Sequence, residues 1–174
     1  MREFHAAAWV ALVAIAACTS SSSSTSSSMS ASATPETGPV RWTAQFKQTQ
    51  GASTAAIIPG QMGSSSAYGS ITVTSQQSTP PTTRIEVSVN APVPSGTQVG
   101  WAIFTGGCGA PTMPIVNAHE FPTIEIAGNN NGSVRATIQM ALDPRGTYHA
   151  NVYWASQVTD LNNVMMCANL AKAR

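Results

Sequence analysis

Few side chains in this 174-residue sequence are of a type that does chemistry, and their spacing limits what each could do. His119 stands beside Glu120, and His149 lies between Tyr148 and Ala150. These two are the candidate metal ligands, but a metal site wants three or four convergent donors. Two imidazoles and one carboxylate spread along the chain fall short of that, so both histidines read as surface imidazoles with no ligand role. Met165-Met166, next to Cys167, could offer soft thioether ligands to copper(I). Adjacent methionines on a strand more often fill gaps in a core. Ser and Thr abound, yet there is no Gly-x-Ser-x-Gly elbow and no third member for a triad. Glu86, Glu120, Glu125, Asp143 and Asp160 are too dispersed to nominate a carboxylate pair. No residue is therefore assigned a catalytic role. The eight Lys and Arg are scattered and the formal net charge is +1, which gives no nucleic-acid footprint, because phosphate binding needs clustered cations.

The elements that would position these residues are strands. Alternation of apolar and polar residues recurs between clusters of Gly, Pro and Asn. Arg41 to Thr49 alternates around Trp42, Ala44 and Phe46, and Gly69 to Ser75 around Ile71 and Val73. Arg84 to Asn90 puts Ile85, Val87 and Val89 on one face. Thr97 to Thr105, with Val99, Trp101 and Ile103, is more continuously apolar, and Thr123 to Ala127 is short. Ser133 to Leu142 and Thr147 to Ala155 alternate again, and Leu161 to Leu170 would close the sheet. Residues 92–96, 128–132 and 143–146 carry turn chemistry. No segment shows a 3.6 period with caps. Seven to eight short strands at this spacing predict an all-β, antiparallel Greek-key sandwich or barrel.

The N-terminus bears on the compartment. Ala6 to Ala17 is an apolar run of twelve residues after a short start containing Arg2. A helix needs about 20 apolar residues to cross a bilayer, so the run fits the apolar region of a signal peptide. Ile15-Ala16-Ala17-Cys18 resembles the bacterial lipobox. That resemblance implies diacylglycerol on Cys18, cleavage just before it, and a second acylation of the new amino group; two or three acyl chains hold a protein firmly at a membrane. The expected organisation is then a lipoprotein signal peptide at 1–17, a lipidated Cys and Ser-rich tether at 18–39, and a folded domain at 40–174. The tether is almost all Ser, Thr, Ala, Gly and Pro and cannot offset its chain entropy by burial. With Cys18 taken by lipid, Cys108 and Cys167 remain. In an oxidising compartment an even pair reads as a disulfide; the competing reading, two free buried thiols, is disfavoured there.

Three pieces of the second half carry a family resemblance. They are Trp101 followed by Thr105-Gly106-Gly107-Cys108-Gly109, then Gly146-Thr147-Tyr148 leading into Ala150-Asn151-Val152, and the terminal Cys167-Ala168-Asn169-Leu170. These resemble the small secreted β-sandwiches related to copper/zinc superoxide dismutase and to the CHRD domain. The resemblance implies a sandwich of that kind, or of the immunoglobulin-like kind, and a Cys108–Cys167 disulfide. It also implies a copper site held by imidazoles, two of them from a His-x-His pair on the strand before the Cys loop. Here those positions are Ala102 and Phe104, Val99 stands where some relatives have another His, and Tyr153 stands where a further His is expected. No cofactor is therefore expected. Ala102, Phe104 and Tyr153 would form an apolar, partly aromatic interaction patch if their face is open, or would lie under the 109–121 segment if it is not. The expected function is a non-catalytic cell-envelope lipoprotein that binds an envelope protein or cell-wall partner, or serves structurally. The competing expectation is a copper- or zinc-handling protein, with residual dismutase activity, that uses His119, His149 or the Met pair. In a Gram-negative host, Thr19 after the acylated Cys would direct it to the outer membrane.

Overall fold

The computed structural model describes residues 38–49, 66–156, 158 and 163–173; the expected signal peptide, Cys18 and nearly all of the expected tether lie outside them. Among the described residues alternation becomes nine strands. They are β1 (Val40–Gln48), β2 (Tyr68–Gln76), β3 (Thr82–Asn90), β4 (Gln98–Val99), β5 (Trp101–Thr105), β6 (Ile124–Glu125), β7 (Asn131–Ile138), β8 (Tyr148–Tyr153) and β9 (Val164–Lys172). A 3-10 turn spans Ala118–Glu120.

Seven strands make one antiparallel sheet in the order β5-β8-β9-β1-β2-β3-β7, and β4 pairs with β6 in a separate two-stranded ladder. Consecutive strands β1, β2 and β3 are neighbours. The chain then crosses from β3, near one edge, to β5 at the other, and returns from β7 to β8, the long crossings of a Greek-key β-sandwich. The sheet curls around a core that takes the inner side chain of each strand. Trp42 and Phe46 come from β1, Ile71 and Val73 from β2, and Ile85 and Val87 from β3, each at most 2% exposed. Register fixes this sharing of a face: Trp42 faces Val73 and Val73 faces Ile85. The aromatic edge of the core is held by geometry as well as burial, with Tyr148 against Trp42 and Phe121 against Trp101 in edge-to-face pairs.

Two of the differences from the alternation pattern have a tertiary cause. The run 97–105 divides at Gly100 because the chain changes partner there. Gln98 and Val99 pair with β6, whereas Trp101 onward pairs with β8. A Cβ at Gly100 would lie 2.6 Å from the Ser156 carbonyl oxygen, so only glycine fits the crossing. The strand expected over 133–142 runs from Asn131 to Ile138. Beyond it, the Met140 carbonyl accepts from the buried Thr83 hydroxyl at 2.8 Å, which carries Met140 and Leu142 into the core without a ladder. Residues 161 and 162, the start of the expected last strand, lie outside the described residues.

Cys108, in the turn after β5, is bonded to Cys167 on β9, with Cα atoms 6.0 Å apart and an S–S distance of 2.03 Å. The carboxamide oxygen of Asn169 accepts from the Cys108 N–H at 2.7 Å. One covalent and one polar link thus tie the turn that leaves β5 to a strand two places away in the sheet.

Candidate functional site

Of the residues singled out by sequence, Ala102, Phe104 and His149 share the outer face of β5 and β8. Ala102 is in register with Asn151, and Phe104 with His149. Side chains opposite each other in an antiparallel pair share a face. The partner positions Trp101, Ile103, Ala150 and Val152 therefore point the other way, into the core. Asn151 is in turn in register with Cys167 on β9, so the disulfide borders the same outer face.

This face is closed. Ala102 and Tyr153 are fully buried and Phe104 is 1% exposed, so the expected apolar interaction patch at Ala102, Phe104 and Tyr153 is corrected: the three side chains form no open surface. The cover is the segment after the disulfide turn. The Ile115 N–H donates to the Ile103 carbonyl at 2.9 Å, and Phe104 forms an isolated antiparallel bridge with Pro114. Between cover and strand lies a half-open cavity of about 970 Å³ whose walls include Phe104, Ile115, His119 and Val158. Met113 stands 82% exposed on the cover.

His149 is a second correction. It was expected on the surface and is fully buried. Its ring lies parallel to that of Phe104, with centroids 5.2 Å apart and planes inclined by 17°. Nδ1 is 3.1 Å from the Gly106 carbonyl oxygen, which accepts from it when Nδ1 carries the proton. Nε2 is then an acceptor, and neither it nor the Asn151 carboxamide oxygen has a hydrogen-bond partner among the described residues. Burial pushes the imidazole pKa below its ordinary value of 6.5, and the Gly106 carbonyl opposes that shift. No hydroxyl, thiol or carboxylate hydrogen-bonds to the ring among the described residues.

His119 is exposed on the 3-10 turn of the cover, where its N–H donates to the Asn117 side chain. Among the described residues no three of His, Cys, Asp and Glu gather closely enough to hold a metal ion. Met165 and Met166 are both fully buried. Met166 pairs with Val152 on the inner face, and Met165 sits at the register shift between Val152 and Tyr153. They pack as core side chains. Alternation alone could not reveal the cover. The uninterrupted apolar run of β5 could have, because a strand apolar on both faces is buried on both. No protein-family model matches the chain, and no curated protein or solved structure is significantly similar to it.

Proposed function

We propose that this chain is a non-catalytic cell-envelope lipoprotein, anchored by acylated Cys18, whose β-sandwich is a binding or structural module. The observation that carries the reading is chemical. Where copper-binding sandwiches of the superoxide dismutase kind present imidazoles, this chain has Ala102, Phe104 and Tyr153, with Phe104 packed against His149 under a cover. A methyl group and a phenyl ring cannot ligate copper, and dismutation needs a redox-cycling ion. The one imidazole on this face, His149, is engaged at Nδ1 with a backbone carbonyl and stands apart from any cluster of acidic or thiol donors among the described residues. At the other end of the chain, Ile15-Ala16-Ala17-Cys18 supports the anchor.

The test has two readouts on protein expressed in a bacterial host. A clickable palmitate analogue should label the wild type and not Cys18→Ser, and the variant should move from the detergent-extracted membrane fraction to the soluble one. Metal analysis of dialysed, folded protein should find copper and zinc well below one ion per chain. Equal labelling of both proteins would end the lipoprotein reading. A full equivalent of copper with superoxide turnover would end the non-catalytic one.

A further inference from the structure

We propose that the outer face of β1, β2, β3 and β7 binds a linear anionic polysaccharide. The proposal deepens the binding-module reading, and it rests on what the sheet register does to cations that are scattered along the sequence. Arg41 lies beside Thr74, Thr74 beside Arg84, and Arg84 beside Thr137, so two guanidiniums stand on alternate strands of one row. The next row ends in Glu86 and Arg135, and Lys47 lies in register with Tyr68 at the far end of β1. Of the six basic side chains among the described residues, Arg41, Lys47, Arg84 and Arg135 share this face, as against one of the four acidic ones, Glu86. Four cations less one carboxylate leave the face at +3. Glu86 bridges Arg84 at 3.6 Å and Arg135 at 3.4 Å, but all three side chains are at least 44% exposed. Such solvated pairs are weak, so both guanidiniums remain available to an incoming anion.

Spacing and composition select the partner. Strands lie ~4.8 Å apart, so Arg41 and Arg84, on alternate strands of one row, stand ~10 Å apart across the sheet, a spacing suited to charges repeated along an extended polymer. Arg presents a planar fork that matches carboxylate, sulfate or phosphate groups. Between the cations lie hydroxyls that can bond to sugar hydroxyls: Ser70, Ser88 and Ser133 fall in one row and line a half-open groove of about 520 Å³ with Thr72, Glu86 and Arg135. Tyr68, 60% exposed at the end of the face, offers a ring on which a sugar can stack. A lipid surface fits less well, because interfacial binding depends on buried apolar area, and Tyr68 is the one large apolar side chain that points outward from these four strands.

The experiment uses the full-length chain and its lipid-free Cys18→Ser variant, with immobilised alginate (a polyuronate), uncharged dextran, and phosphatidylglycerol vesicles as probes. Both proteins should bind alginate and not dextran. The affinity should fall as ionic strength rises past 0.15 M, where the Debye length is about 8 Å. Arg41→Gln/Arg84→Gln should weaken alginate binding by about tenfold or more, ~1.4 kcal/mol, and Tyr68→Ala should weaken it too. Arg145→Gln, an exposed cation in the β7–β8 turn, should leave it unchanged. Circular dichroism confirms that each variant is folded. No alginate binding at low salt, equal loss in Arg145→Gln, or binding of the lipid-free variant to vesicles in place of alginate would overturn the proposal. Metal-dependent turnover with alginate binding intact would overturn the non-catalytic reading and leave this surface standing.

Discussion

At the scale of single residues, His149 is the most consequential side chain, because it is an ionisable group sealed under a cover. Its folded-state pKa lies below the ordinary 6.5 because burial penalises the imidazolium. Below about pH 6.5 the unfolded chain takes up a proton that the folded chain refuses, and wherever the unfolded state binds more protons, stability falls as pH falls. The contribution is therefore complete above pH 6.5 and is lost on acidification toward the folded-state value. We expect the melting temperature of the wild type to fall between pH 7.5 and pH 5, and that of His149→Phe to fall distinctly less over the same interval. Calorimetry at several pH values decides it, and parallel slopes for the two proteins would dismiss His149 as the titrating group. The same residue explains why Asn151 merits attention: two buried acceptors on one strand face, two residues apart, carry a desolvation cost that a neutral apolar pair would not.

At the scale of elements, the strands and their inward residues were legible because alternation and register express one constraint. Ile85, Val87 and Val89 point inward as their spacing required. The turn signals also held, with Gly96 at φ +83° and Asn130 at φ +63° in turns where a left-handed residue is needed. What alternation could not supply was tertiary. Gly100 marks a change of strand partner, and the cover over β5 comes from a segment with no repeating pattern of its own. The gathering of four cations on one face was equally hidden, since Arg41, Arg84 and Arg135 are distant in sequence and meet only through pairing. The cover changes the meaning of one substitution. On an open patch Phe104→Asp would cost a partner and little stability. In this fold it places a carboxylate against Pro114 and the His149 ring, at a position that is 1% exposed. Phe104→Ala should destabilise by about 3–5 kcal/mol, and Phe104→Asp by at least as much, because an uncompensated charge is buried. Chemical denaturation measures both, and a loss under 1 kcal/mol for Phe104→Asp would mean that the cover opens readily.

At the scale of the whole molecule, the disulfide joins the two levels. It closes a loop of 59 residues in sequence separation, from the turn after β5 to β9. Constraining a loop of that length in the unfolded chain contributes about 4 kcal/mol. Its position adds a second effect. Cys108 sits where the cover begins, and the Cys108 N–H bond to Asn169 holds the same turn, so reduction loosens the anchorage of the cover along with the loop. Two outcomes follow from one cut. The melting temperature should drop by on the order of 10 °C or more on reduction, and the Ile115 amide, bonded to Ile103 beneath the cover, should lose hydrogen-exchange protection before the amides of β1 to β3 do. Cys108→Ser/Cys167→Ser should reproduce both effects and be indifferent to added dithiothreitol, since it lacks the Cys108–Cys167 bond. If reduction lowers the melting temperature but leaves the exchange order unchanged, the bond acts on the unfolded chain alone and the cover is held by its apolar contacts.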